Sequence, residues 1–187
     1  MTLLEMKKKV LGMIEELNPE SEVLTDDPDI ATKINEVTNQ VMFELARIKK
    51  IAKYVEMEVT KGQLIDFAAI EKKCGYEVYQ RGKTGGVLFD EKANGTILKI
   101  LEDGTLEMDV FVFPERITEK TKDKAYEFEL SADVLEIMPY GIAADLLKSD
   151  VSSEYGSIYS TRYLEMKQGL DPRNGVTNVY VYGGVDI

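Results

Sequence analysis

The pattern of apolar and polar positions changes period twice along this chain. Over residues 3–17, Leu3, Met6, Val10, Ile14 and Leu17 recur at steps of three and four, placing them on one helical face. Asn18-Pro19 ends that helix, because the residue before a proline is driven out of helical conformation. A polar loop over residues 20–27 follows. The next helix begins with Asp27 as its cap and Pro28 at its first position, where no amide donor is needed. Asp29 adds negative charge at the positive end of the helix dipole. Ile30, Ile34, Val37, Val41, Leu45, Ile48 and Ala52 form its stripe. Arg47, Lys49, Lys50 and Lys53 gather near its C-terminal end, which reads as dipole compensation rather than a nucleic-acid patch.

Near Val55 the period shortens to two. Residues 56–60 alternate, residues 64–73 suit a short helical turn, and apolar runs follow at 76–80, 87–90, 96–102 and 105–113. Turn residues separate them: the 82–86 glycine run, Asn94-Gly95 and Asp103-Gly104. Asp103-Gly104 between two apolar runs is the strongest hairpin signal of the three. Leu106, Met108, Val110 and Val112 point one way and Phe111 and Phe113 the other, so the end of that strand is expected to be covered on both faces. After a charged loop at 114–124, Tyr126, Phe128 and Leu130 alternate with glutamates and predict a last strand. Ser131 or Asp133 then caps a helix whose stripe is Leu135, Met138, Ile142 and Leu146, kinked or restarted at Pro139. A final helix begins near Ser152 and Glu154. On it Tyr155, Tyr159, Arg162, Met166 and Leu170 fall on one side.

The predicted class is therefore α+β. Helices at 1–55 and 132–170 form a helical bundle, and an antiparallel β-domain, a small sandwich or meander, is inserted at 56–131. A strand-like tail occupies 171–187. After the turn-rich 171–175 stretch, Val179, Tyr180, Val181 and Tyr182 form an apolar run that suits a strand. Gly183 and Gly184 joint it to Val185, Asp186 and Ile187. Such a run either joins the chain's own sheet or augments that of a neighbouring subunit.

Composition narrows the function. The formal net charge is −11 over 187 residues, which disfavours tight binding to nucleic-acid phosphates. With no histidine and one cysteine, zinc sites of the Cys/His type and the usual Ser-His-Asp or Cys-His nucleophile systems are excluded. Cys74 has no base beside it and reads as structural. No apolar stretch is long enough to span a bilayer, and lysines and glutamates interrupt the N-terminus where a signal peptide needs an unbroken apolar centre. The 82–86 run lacks the spacing of a phosphate loop. Asp26, Asp27 and Asp29 lack the glycine and closing glutamate of a calcium loop. Carboxylates are numerous, with 34 Asp and Glu residues, but no spacing selects a catalytic pair. No catalytic residue, metal or cofactor is expected.

The run Pro139-Tyr140-Gly141-Ile142-Ala143-Ala144-Asp145-Leu146-Leu147, followed by the tyrosine-bearing helix from Tyr155 to Met166, resembles the C-terminal helical hairpin of phage head–tail connector (adaptor) proteins. Small residues on the first helix let the backbones approach, and tyrosines on the second wedge between them. The closing Gly183-Gly184-Val185-Asp186-Ile187 is similar to tails in phage neck proteins. The resemblance covers roughly the last third of the chain. It implies a non-enzymatic virion protein, present in the bacterial cytoplasm during assembly. Such a protein forms a homo-oligomeric ring in the virion between portal and tail or stopper proteins, with DNA passing through its lumen and no membrane partner. The isolated chain is left open between ring and monomer, since many assembly proteins stay monomeric until a partner orders them. Tyr155, Tyr159, Arg162 and the tail from Val179 to Ile187 are then candidates for subunit contacts. The β-rich middle departs from the nearly all-helical small adaptors. An alternative is a β-sandwich module on a helical base, binding carbohydrate or protein through Tyr76 or Tyr79.

Overall fold

A computed structural model describes residues 1–149 and 154–170. The chain is mixed α+β, with five α-helices and two small antiparallel sheets among the described residues. Helix α1 spans Leu3–Met13 and α2 spans Pro28–Ile48. Strands β1 (Ile51–Val59) and β2 (Leu64–Ile65) precede helix α3 (Phe67–Cys74). Strands β3 (Val78–Gly85), β4 (Phe89–Lys92), β5 (Ile97–Ile100) and β6 (Gly104–Val112) follow. Helices α4 (Ala132–Leu146) and α5 (Glu154–Leu170) close the described chain.

The helix starts are set by side chains. Thr2 and Glu5 form a reciprocal capping box on α1, satisfying two amide donors that the first turn leaves without partners. Asp27 accepts from the amides of Asp29 and Ile30, as its spacing from Pro28 predicts. Helix α1 stops a turn earlier than expected. Glu15 takes a left-handed conformation with φ 62°, and the Glu16 amide bonds back to the Leu11 carbonyl, a closing geometry that ends the helix before the proline is reached. Ser131 stands at the N-cap of α4 but makes no side-chain bond to the helix amides. Instead it hydrogen-bonds Asp133, which this bond and Lys49 together hold below the usual carboxylate range.

Two hydrophobic clusters organise the interior. One gathers Leu3, Met6, Val10, Ile34, Val41, Met42, Leu45, Met138, Ile142, Tyr163 and others from α1, α2, α4 and α5, with α4 touching the other three helices. The second is filled by Val55 and Val59 from β1, Ile65 from β2, Ile70 from α3, Leu98 and Ile100 from β5, and Leu106, Met108, Val110 and Val112 from β6. The sheets are ordered β1-β6-β3 and β2-β5-β4.

Four expectations are corrected. First, Asp103-Gly104 does not close a hairpin. Strand β5 pairs with β2 and β4, whereas β6 pairs with β1 and β3, so this pair turns the chain from one sheet into the other. The Asp103 carboxylate accepts from the Lys61 amide at 2.7 Å and pins the corner. Asn94-Gly95 does sit in a hairpin, between β4 and β5. Second, most of the 82–86 run does not separate strands: residues 82–85 lie inside β3, and only Gly86, at φ 88°, stands in the bend before β4. An added Cβ at Gly82 would lie 3.1 Å from the Asp109 Cβ, and the register slips between Arg81 and Thr84. A glycine here serves a bulge with close backbone approach, not a turn. Third, residues 126–130 form no strand beyond a single bridge, Thr2 to Glu127. Tyr126 and Phe128 turn into the helical cluster instead. Fourth, α2 ends at Ile48, so Ala52 and Lys53 belong to β1 rather than to the helix and its basic end.

The two clusters meet through aromatic rings. The Phe113 ring packs at a tilt 4.9 Å from Phe43 of α2 and 4.6 Å from Tyr79 of β3. The Arg47 guanidinium lies over Phe113 and that of Arg116 over Phe43. Tyr79 donates to the Ala46 carbonyl at 3.0 Å. Nearby, Tyr76 donates to Glu129 at 3.0 Å under the Lys53 ammonium.

Candidate assembly surface

The sequence points to the α4–α5 hairpin, and its geometry follows from residue size. A Cβ on Gly141 would come within 2.8 Å of the Tyr163 ring and 3.0 Å of Val41. Only glycine lets α5 and α2 lie this close to α4. Gly156 lies against Leu147 in the same way, with an added Cβ at 3.3 Å. The small-residue reading of the 139–147 run therefore has a contact behind it. Pro139 sits inside α4 without interrupting it.

Tyr163, which the helical wheel did not single out, is the wedge. It is buried, and its hydroxyl donates to Glu44 of α2 at 2.6 Å. Lys167, one turn on, pairs with the same carboxylate. Burial and the Glu44 bond raise the Tyr163 pKa well above the phenol range. Burial pushes Glu44 up, but the hydrogen bonds from Lys167 and Tyr163 outweigh it and leave the carboxyl below its usual range. A Tyr-x-x-x-Lys spacing on α5 is the signal that could have found this site, since both side chains then share a helical face.

The candidate interface residues part company. Tyr159 donates to the Met13 carbonyl at 2.6 Å, so its hydroxyl is committed within the chain. Tyr155 stacks on Tyr159 at 6.4 Å yet stays 56% exposed, and Ile158 is 57% exposed beside it. Arg162 is exposed and pairs with Glu165 at 3.5 Å. Val179 to Ile187 lie outside the described residues.

Other chemistry-bearing residues serve structure. Asp26 accepts from Asn18 at 2.8 Å, and Asp29 pairs with Lys33. Cys74 is half-buried at the end of α3. Among the described residues no group of His, Cys, Asp and Glu is arranged to hold a metal ion, and no helix is long and apolar enough to cross a membrane. Sequence reasoning also missed Asn39. Buried in α2, it accepts from the Ile117 amide and donates to the Ile117 carbonyl, each at 2.8 Å. It thereby fastens the 114–124 loop to the helices.

No family model matches the chain, and no curated protein matches it.

Proposed function

We propose that this chain is a structural protein of the head–tail connector of a phage or prophage, assembling into a ring between portal and tail through which DNA passes. The observation that supports the reading is the hairpin resemblance together with the Gly141–Tyr163 contact, which gives that run of small residues a structural use. Helices from both ends of the chain form the bundle of the ring subunit, and the β-rich middle is an insertion carried on it. The bundle presents Tyr155, Ile158 and Arg162 of α5 to solvent, on the face that meets neighbours. The acidic surface suits a channel past which DNA slides without sticking. The portal and the tail or stopper proteins are the partners on either side.

The alternative is a β-sandwich module binding carbohydrate or protein, and its tyrosine candidates disfavour the carbohydrate form. Tyr79 is bonded to Ala46 and packed at a tilt against Phe113, and Tyr76 is held between Lys53 and Glu129. Neither ring is a free platform.

Deleting the gene from a phage that carries it tests the proposal. Filled heads and free tails that do not join are the expected products. Joined, infectious particles in normal yield would reject it.

A further inference from the structure

Two surfaces of opposite character lie on different parts of this chain. The first is a groove of about 600 Å³ between α1, the loop after it and the 121–125 turn. Its apolar floor includes Leu4, Pro19 and Leu24, and Lys8, Lys122 and Lys124 stand exposed around it. Asp123, also in its wall, is committed to Lys7 at 2.8 Å, and Glu22 is the remaining carboxylate lining it. Three lysines converging on an apolar floor run against the average of a chain with net charge −11.

The second surface is the solvent face of the β1-β6-β3 sheet. The pairing sets Tyr54 opposite Asp109, Glu56 opposite Glu107 and Glu58 opposite Thr105. Tyr54 is 58% exposed, and Glu56, Glu58 and Glu107 are exposed with it. Like charges directly opposite on a ladder repel, and on the free sheet the Tyr54 hydroxyl, hydrogen-bonded to both Glu56 and Glu107, is what holds that pair together. Lys83 also lines the shallow hollow beside Tyr54, and Lys50 covers Phe111 further along. Neither stands between the two glutamates in the register.

We propose that the two surfaces are halves of one contact between copies of this chain. Tyr54 of one copy rests on the apolar floor of the next copy's groove, and its flanking glutamates meet Lys8, Lys122 and Lys124. Tyrosine is among the residues that most often anchor an interface by filling a desolvated pocket on the partner. Here the lysines also relieve the Glu56–Glu107 repulsion. Because the two halves are different surfaces, the contact is heterologous, and repetition closes into a ring or runs into a filament. The inference rests on the connector reading and adds, beside the α5 face, a second pair of surfaces by which its subunits meet.

Sedimentation of the full chain over a wide concentration range tests it. Self-association is expected near 0.1 M salt and is expected to weaken toward 1 M, as the screening length falls from about 10 Å to about 3 Å. Lys122→Glu with Lys124→Glu should weaken it at least about tenfold, and Glu56→Lys with Glu107→Lys should do the same, since like charges facing each other across an interface are strongly unfavourable. Mixing the two variants should restore association, because the reversed groove of one fits the reversed sheet face of the other. Tyr54→Ser, a change at an exposed site, should weaken association while circular dichroism stays that of the parent. A wild-type chain that stays monomeric, or association indifferent to both reversals, or a mixture that fails to recover, would overturn the inference. So would loss of portal binding in the groove variant with self-association intact, which assigns the groove to another acidic protein. A ring on the portal that ignores both reversals removes this pairing and leaves the connector reading standing.

Discussion

Replacing Gly141 with alanine sets two effects of opposite sign against each other. In an unobstructed helix the change is favourable by about 1 kcal/mol, because glycine is that much poorer than alanine in a helix interior. Here the new methyl would lie 2.8 and 3.0 Å from two carbons of the Tyr163 ring and 3.0 Å from a Val41 methyl. Comfortable carbon–carbon contact begins near 3.5 Å. The ring cannot swing away freely, because its hydroxyl is held by Glu44 at 2.6 Å and its face is buried. Overpacking of this kind costs about 1–3 kcal/mol, so the net effect is a destabilisation on the order of 1 kcal/mol. Urea unfolding followed by far-UV circular dichroism measures it, the midpoint falling at unchanged slope. A second background separates the two contacts. With Tyr163→Ala already in place only the Val41 methyl stays close, and Gly141→Ala should then be less unfavourable than in the wild-type background by roughly 1 kcal/mol. Stabilisation by Gly141→Ala in the wild-type background would refute the close-packing account of the hairpin.

Further expectations follow from buried polar groups. Asn39→Leu strands the amide and carbonyl of Ile117 away from water and should lower stability by about 2–6 kcal/mol, since each buried group left without a partner costs about 1–3 kcal/mol; a thermal midpoint within a degree of wild type would contradict it. Tyr126 donates to the Glu115 carbonyl at 2.5 Å, and burial, with Glu115 and Glu129 adding to it, pushes its pKa up from 10.0 to about 12. A pKa raised on folding contributes stability that is complete below pH 10 and is lost as pH rises through about 12. The stability difference between wild type and Tyr126→Phe should therefore shrink across that window, and a difference constant with pH would argue against it. Glu44 has the opposite sign: its lowered pKa contributes stability above the ordinary carboxylate pKa of 4.5 that disappears as pH falls below it, so Lys167→Met should flatten the acid limb of a stability–pH curve.

The helices were legible because their signals are local. Asp27-Pro28, the α2 stripe and the small residues before Leu146 each act within a few turns of chain. The strands were legible as alternation, but their partners were not. Asp103-Gly104 has the composition of a hairpin turn, yet whether two adjoining strands pair or part into separate sheets depends on strands far away in sequence, here β1 and β2. The 82–86 glycines carry the same ambiguity, since a bulge and a turn both need a residue without Cβ. Tyr126 and Phe128 alternate correctly and do point inward, toward a core made of helices rather than a sheet. Of the candidate site, Tyr155 and Arg162 are exposed on α5, and the tyrosine that wedges between the helices is Tyr163 instead. The hidden element was the Tyr163–Glu44–Lys167 cluster, because Glu44 lies more than a hundred residues from its partners and nothing local marks it.

Imaging the purified chain by negative stain, alone and with its cognate portal, bears most directly on the connector role. Closed rings with an open centre, seated coaxially on the portal, are the expected result. Particles that remain monomeric with portal present, or that bind it without ring symmetry, would contradict the account.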